Sequence, residues 1–135
     1  MDVKKRAKII IDWVNNYCDT TSYKPKALVV GISGGIDSSV VSTLCASTGR
    51  KTIVLTMPIK QIQSQHDLSL THAKWLKQKY KNVEHHLLEM DKIFASFSQV
   101  LNKFDNEHGY ANSRARLRMT TLYQVAAANN GIVVG

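Results

Sequence analysis

The segment Lys-Ala-Leu-Val-Val-Gly-Ile-Ser-Gly-Gly-Ile-Asp-Ser-Ser, residues 26–39, decides how the fold of this chain is interpreted. Its first six residues form a short apolar run that is typical of a central strand in a parallel sheet. A glycine-rich turn follows, and helical spacing of apolar residues begins at Ile36. A strand, a glycine-rich turn and a helix, in that order, provide the context in which a phosphate-binding loop has meaning.

The backbone and side chains of this turn suit a phosphate group. Glycine lets the chain turn tightly and approach a ligand with no Cβ in the way. The amides around Gly34 and Gly35 can point into one concavity, and the next helix adds its free N–H groups and positive dipole end. Ser33, Ser38 and Ser39 can donate hydroxyl hydrogen bonds to phosphate oxygens.

Asp37 is the most informative residue of the turn. A carboxylate beside bound phosphate repels it unless a cation lies between them, so Asp37 predicts a Mg²⁺ ion. The turn is not a Walker A loop, which needs a lysine before its Ser or Thr, and it is not the G-x-G-x-x-G motif. The structural alternative is a helix capped by Ser33 or Asp37, with glycines that serve only the turn.

Strand and helix patterns alternate along the rest of the chain. The predicted strands cover residues 26–31, 52–57 and 82–88, with a fourth that begins at Ile132. The predicted helices cover residues 3–17, 36–48, about 64–80, about 91–101 with Asp91 as the cap, and 112–129, after a loop at 105–109. This alternation predicts an α/β fold, a three-layer α/β/α sandwich with a parallel Rossmann-like sheet. Ligands in such sheets bind at the carboxyl ends of the strands.

Composition limits the class of protein. The chain has 135 residues, 44% hydrophobic and 21% charged, which fits one folded domain and excludes disorder and a coiled coil. No apolar run approaches the roughly 18 residues of a membrane helix, and no signal peptide pattern follows the basic start. Cys18 and Cys45 have no metal or disulfide pattern, so we predict reduced thiols and a cytoplasmic location. The five histidines do not form a recognisable metal-ligand set.

The net charge of +8 suggests a polyanionic partner. Three of the basic residues are Arg114, Arg116 and Arg118, on one predicted helix. Arg114 and Arg118 share a face, whereas Arg116 points about 200° away from Arg114. They therefore form no single stripe for a nucleic acid, and discrete anion contacts, buried ion pairs or a purely structural role remain open. Lys60, at the predicted carboxyl end of a strand, suits either a nucleotide contact or a solvated loop.

Two stretches resemble known families. The motif SGGxDSS after a hydrophobic strand, residues 33–39, resembles the PP-loop of ATP pyrophosphatases, which cleave ATP between its α and β phosphates. Residues 112–123 resemble the N-x-(K/R)-A-R-x-R-M-x-x-x-Y stretch of the ammonia-dependent NAD⁺ synthetases. The strand end at Met57 and Pro58 and the ending Gly-Ile-Val-Val-Gly fit the same family. The resemblance covers nearly the whole chain and roughly the first half of a typical family member.

The resemblance implies an adenine nucleotide alpha hydrolase-like fold and an ATP-dependent amidation of deamido-NAD⁺ with free ammonia. The products are NAD⁺, AMP and pyrophosphate, formed through an adenylated intermediate. Asp37 is implied in Mg²⁺ binding, and Arg116 and Tyr123 in deamido-NAD⁺ binding, with no residue assigned as nucleophile, acid or base. The residues implied in ATP binding are Gly31, Ile32, Ser33, Gly34, Gly35, Ile36, Asp37 and Ser38.

The resemblance also sets expectations for the assembly. Family members are homodimers with shared active sites, and neither a membrane nor a nucleic acid is an expected partner. Residues 1–135 are expected to be a single nucleotide-binding α/β domain truncated at its C-terminal end, because the chain stops inside a predicted strand. Two alternatives stay open: another PP-loop enzyme, tRNA-modifying or GMP synthetase-like, and an inactive nucleotide-binding fragment.

Overall fold

The computed structural model describes residues 2–60 and 63–135. Helices and strands alternate along the described chain, as the sequence predicts. The helices are α1 Val3–Thr20, α2 Ile36–Ser47, α3 Gln63–Lys79, α4 Asp91–Val100 and α5 Glu107–Ala128, with a 3₁₀ turn at Asn102–Phe104. The strands are β1 Leu28–Gly31, β2 Thr52–Thr56, β3 Val83–Leu87 and β4 Ile132–Val133. No described helix is long and apolar enough to cross a membrane.

The four strands form one parallel sheet in the order β3-β2-β1-β4. Leu28 pairs with Thr52 on one side and with Ile132 on the other, so β1 is central. All five residues of β2 are buried, as expected for a strand covered on both faces. The predicted α/β architecture with a parallel sheet is confirmed.

Successive strand residues face opposite layers of helices. Val29, Ile53 and Leu55 pack in a core with Phe94 of α4 and Leu122 of α5. The alternate residues of the same strands join helices on the other face: Val54 packs with residues of α2 and α3, and Leu28 and Val30 pack with residues of α1 and α2. Both faces of the central strands β1 and β2 therefore exclude water, which leaves the carboxyl edge of these strands for a ligand.

One predicted helix start and one predicted helix cap are wrong. Helix α5 begins at Glu107, five residues before the predicted start, because the Asn106 side chain caps it by accepting the Gly109 N–H at 2.8 Å. Asp91 does not cap α4: the N-cap residue is Met90, and no side chain caps the helix. The Asp91 carboxylate instead accepts the backbone N–H of Lys60 at 2.8 Å.

The two cysteines are free thiols, as predicted, and both are buried in the core that α1 and α2 share with β1. Burial, with a smaller contribution from Cys18, raises the pKa of the Cys45 thiol to about 12. A thiol with that pKa stays protonated at neutral pH and is a poor nucleophile or metal ligand. In residues 2–60 and 63–135, no cluster of three His, Cys, Asp or Glu side chains could hold a metal ion.

Candidate functional site

The glycine-rich turn lies at the carboxyl edge of the sheet, where β1 passes into α2. The Ile32 N–H donates to the Leu55 carbonyl at 2.8 Å, which fixes the start of the turn to β2. Gly34 has a φ of +90°, and a Cβ at this position would lie 2.5 Å from the backbone oxygen of Gln65. The turn therefore needs glycine at residue 34 both for its conformation and for its contact with α3.

Hydrogen bonds within the turn hold it in one shape. The Ser38 hydroxyl accepts the Ser33 N–H at 3.1 Å and lies 3.2 Å from the Ser33 hydroxyl. The Gly35 N–H donates to the Ser33 hydroxyl at 3.3 Å. The Ser38 and Ser39 hydroxyls both donate to the Gly35 carbonyl. The turn is thus ordered by its own serines before any ligand arrives.

Gly35 is the N-cap residue of α2, and in the described part of the chain no side-chain hydrogen bond caps the helix there. The alternative in which Ser33 or Asp37 caps this helix is therefore wrong. Helix termini leave their first amides unsatisfied, and these carry partial positive charge, so the end of α2 at Gly35 suits an anion.

Asp37 lies exposed in the first turn of α2. Its carboxylate makes no hydrogen bond or ion pair with any residue that the structure describes. Mg²⁺ in proteins is usually held by one or two carboxylates together with substrate phosphates and water. A single unpaired carboxylate beside the phosphate turn is compatible with a metal ion that a bound nucleotide completes.

A cavity of about 520 Å³ separates this turn from α5. The turn contributes Gly31, Ile32, Ser33 and Gly35 to its wall, and α5 contributes a face that contains Arg114 and Arg118. Lys60, just after β2, also lines it. Among the described residues around this cavity, all the charged ones are cationic, and this concentration of positive charge suits a polyanion.

The arginines of α5 lie on two different faces of the helix, as the helical spacing predicts. Arg114 and Arg118 are partly buried and face the cavity, whereas Arg116 is exposed. The Arg118 Nε–H donates to the Met57 carbonyl at 2.9 Å, and burial, followed by the charge of Arg114, lowers the pKa of Arg118. Arg114 pairs with Glu107 at 2.8 Å, and this bond lowers the pKa of Glu107.

The two residues implied in deamido-NAD⁺ binding lie outside this cavity. In the described chain, Arg116 contacts only a backbone carbonyl one turn earlier in its own helix, at 3.5 Å. Tyr123 is 61% exposed and lines a separate cavity of about 570 Å³ beside β4. These positions do not test the assignment of Arg116 and Tyr123 to deamido-NAD⁺ binding, and that assignment stays a prediction.

The cavity beside β4 carries an aromatic cluster that the sequence analysis did not single out. Trp13 and Tyr17 of α1 stack with ring centroids 5.6 Å apart, and both line this cavity with Tyr23 and Tyr123. Trp13 and Tyr17 are four residues apart on an amphipathic helix, and this spacing could have indicated that they share an exposed face.

The fold and the turn define a class. A parallel Rossmann-like sheet, with the SGGxDSS turn between its central strand and the next helix, fits the PP-loop class that the sequence resembles. A sequence profile of the NAD synthase family matches residues 6–135 of the chain. The chain therefore belongs to the NAD synthase family, and this membership sets aside the tRNA-modifying and GMP synthetase-like alternatives.

Individual relatives agree with this assignment. The NH₃-dependent NAD⁺ synthetase of Staphylothermus marinus is 33% identical over 135 residues, which cover 97% of this chain and 47% of the relative. The solved structure of NMN synthetase from Francisella tularensis matches with a TM-score of 0.88 and 30% identity, over 100% of this chain and 54% of that one. NH₃-dependent NAD synthetase from Campylobacter jejuni matches with a TM-score of 0.86 and 28% identity, over 100% and 56%. The chain spans about half the length of the curated relatives it matches.

Proposed function

We propose that residues 1–135 are the nucleotide-binding part of an ammonia-dependent NAD⁺ synthase, a ligase that forms a C–N bond. The observation that carries the proposal is the cavity between the PP-loop turn and α5, whose charged described residues are all cationic. The substrates would be ATP, deamido-NAD⁺ and ammonia. Family membership supports this choice of chemistry.

The turn would bind the pyrophosphate portion of ATP. The first amides of α2 are held in place by the helix, so they would stabilise developing negative charge with little reorganisation. Asp37 would hold Mg²⁺ together with the phosphates. A bound Mg²⁺ ion polarises phosphoryl oxygens and neutralises their charge. Ser33 and Ser38 would contact the ligand as hydrogen-bond donors, not as nucleophiles.

The reaction would proceed in two displacements. The nicotinate carboxylate of deamido-NAD⁺ attacks the α phosphorus, and the bond to the pyrophosphate oxygen breaks. Ammonia then attacks the activated carbonyl carbon, AMP leaves, and a proton is released. A carboxylate is already ionised at neutral pH, so the first step needs no general base.

Arg116 and Tyr123 would contact deamido-NAD⁺ in a homodimer with shared sites. Both side chains are exposed in the single chain and lie away from the phosphate turn. Exposed side chains of this kind are accessible to a deamido-NAD⁺ molecule that is held at the interface with a second subunit.

Turnover by the full product of the gene that encodes this chain tests the proposal. With ATP, Mg²⁺, ammonia and deamido-NAD⁺, we expect equal amounts of AMP and NAD⁺. A parallel reaction replaces deamido-NAD⁺ with nicotinate mononucleotide, because one similar structure is an NMN synthetase. Preference for the mononucleotide would move the assignment to NMN synthesis. Formation of neither amide would contradict the proposal and favour an inactive nucleotide-binding protein.

A further inference from the structure

Lys60 has an unusual backbone conformation for a lysine. Its φ is +48°, in the left-handed region that favours glycine. Two hydrogen bonds from the start of α4 hold this turn: the Lys60 N–H donates to the Asp91 carboxylate at 2.8 Å, and the Met90 N–H donates to the Pro58 carbonyl at 3.1 Å. Strained residues that persist in a fixed setting cluster at functional sites, so Lys60 is a candidate for one.

The Lys60 ammonium and the Arg114 guanidinium share one aromatic ring. The Lys60 Nζ lies 5.7 Å from the centroid of the buried Phe94 ring, and the Arg114 Cζ lies 5.4 Å from it. Cation–π attraction holds each group near the ring. Glu107 pairs with Arg114 at 2.8 Å, but its side chain is 80% exposed and the pair is partly screened by water. Both cations thus lie within contact distance of the same ring.

Both cations also face the phosphate-turn cavity. Lys60 and Arg114 line it, and each also lines a neighbouring cavity of about 490 Å³ that contains Asp105 and Glu107. Asp105 and Glu107 therefore lie on the side of the second cavity, and the Asp91 carboxylate that accepts the Lys60 N–H lines neither cavity. In the described part of the phosphate-turn cavity, Lys60, Arg114 and Arg118 are the charged residues. Arg118 uses its Nε–H on the Met57 carbonyl and Arg114 pairs with Glu107, so among the described residues of this cavity Lys60 is the cation whose charged group makes no hydrogen bond or salt bridge.

We propose that Lys60, with Arg114, binds the phosphate chain of the nucleotide held by the PP-loop turn. This inference rests on the proposed function and adds two phosphate contacts on the wall opposite the turn. An ammonium group is a compact charge with three donors, and charge-assisted hydrogen bonds to phosphate are strong and short. A triphosphate with one end on the turn amides would therefore present its remaining oxygens to Lys60.

A matched pair of variants separates this role from a structural one. Lys24 has a φ of +47°, nearly the same as Lys60, and is likewise exposed. It lies before β1, at the amino end of the sheet, whereas Lys60 follows β2 at the carboxyl end. Lys24→Gly and Lys60→Gly each remove one positive charge and relieve the same backbone strain. They differ in which end of the sheet loses the cation, and Lys60→Gly also removes the contact of the ammonium with the Phe94 ring.

The test measures the binding of Mg²⁺·ATP and of adenosine to the full gene product by calorimetry. We expect Lys60→Gly to weaken ATP binding about tenfold, the loss of one charge-assisted hydrogen bond. Adenosine binding and the urea midpoint should not fall. Lys24→Gly should keep its ATP affinity within about twofold, and Lys60→Arg should recover most of the affinity.

Three results would overturn the assignment of Lys60: unchanged ATP affinity in Lys60→Gly, an equal loss in Lys24→Gly, or a parallel loss for adenosine. The second result would indicate an effect of net charge, and the third a structural effect. Absence of ATP binding by the unmodified chain is a different outcome. It would contradict the proposed function itself, and the role of Lys60 with it.

Discussion

The neighbouring glycines Gly34 and Gly35 differ in what they tolerate. Gly34→Ala places a Cβ 2.5 Å from the Gln65 carbonyl oxygen and forces alanine to a φ of +90°. We expect a loss of about 1–3 kcal/mol in the free energy of unfolding. A Cβ at Gly35 meets the Ser33 hydroxyl at an ordinary 3.4 Å, so Gly35→Ala is the control. Urea unfolding compares the two, and equal midpoints would contradict the packing of α3 on the turn.

Asp37 is predicted to act through a metal ion and not through the fold. Asp37→Asn keeps the shape of the side chain and removes its charge. Because the carboxylate has no hydrogen-bond or ion-pair partner among the described residues and interacts only with the dipole of α2, the free energy of unfolding should fall by no more than about 1 kcal/mol. ATP binding in the presence of Mg²⁺ should weaken about tenfold and approach the affinity measured without Mg²⁺.

The control for this prediction is Asp12→Asn, which removes an exposed carboxylate of α1 that pairs only with Lys8. That variant should bind Mg²⁺·ATP like the unmodified chain. An unchanged dependence on Mg²⁺ in Asp37→Asn would refute the proposed role of the carboxylate.

At the scale of elements, Arg118 connects α5 to the end of β2. Its Nε–H donates to the carbonyl of Met57, a residue that is only 6% exposed. Arg118→Met leaves this carbonyl without its donor, and an unsatisfied buried group costs about 1–3 kcal/mol. We expect a loss of that size in the free energy of unfolding, measured with urea.

Arg116→Met is the control on the same helix. Arg116 is exposed, so its replacement should change the free energy of unfolding by no more than about 0.5 kcal/mol. In turnover assays of the full gene product, it should raise the requirement for deamido-NAD⁺ and leave ATP binding largely intact. Equal destabilisation by the two variants would show that Arg118 contributes no specific link between α5 and β2.

The helices and strands could be predicted from sequence where the signal was local. The apolar runs of β1 and β2 and the glycines after Gly31 predicted the sheet and the turn. Helix α5 was predicted to start too late because Gly109 weakens the helical pattern, while the cap at Asn106 was overlooked. Asp91 was misassigned for another reason: its partner, the Lys60 N–H, lies 31 residues away in sequence.

Local sequence patterns could not predict that the cations Lys60, Arg114 and Arg118 lie together in the candidate site. The sequence indicated that Arg114 and Arg118 share a face, but not which side of the sheet that face meets. The contacts of Lys60 and Arg114 with the Phe94 ring join three elements that are distant in sequence. Only the fold brings them to the edge at which the turn lies. For Lys60 in particular, a nucleotide contact and a solvated loop fit the sequence equally well.

At the scale of the whole molecule, two histidines make stability depend on pH. His72 hydrogen-bonds to the Ser42 hydroxyl and His85 to the Thr56 hydroxyl, both at 2.9 Å. Burial is the main cause that lowers the pKa of each histidine below 6.5. Between the lowered pKa and 6.5, the unfolded chain binds more protons than the folded one, so stability falls as pH falls through this window.

Urea unfolding at pH 7.5 and pH 5.5 measures this dependence. We expect a lower free energy of unfolding at pH 5.5 and a smaller difference in a double variant, His72→Gln with His85→Gln. Glu84 and Glu107 have lowered pKa values, so they make stability depend on pH below 4.5, outside this range. A double variant with the same pH dependence as the unmodified chain would show that these histidines are not its source.

The central claim is that this chain binds ATP for cleavage between its α and β phosphates. Phosphorus NMR of the full gene product with ATP, Mg²⁺, ammonia and deamido-NAD⁺ tests it most directly. We predict AMP and pyrophosphate in equal amounts, with neither formed when deamido-NAD⁺ is omitted, because the acceptor carboxylate must attack the α phosphorus. Formation of ADP and inorganic phosphate, or release of pyrophosphate without deamido-NAD⁺, would contradict the account.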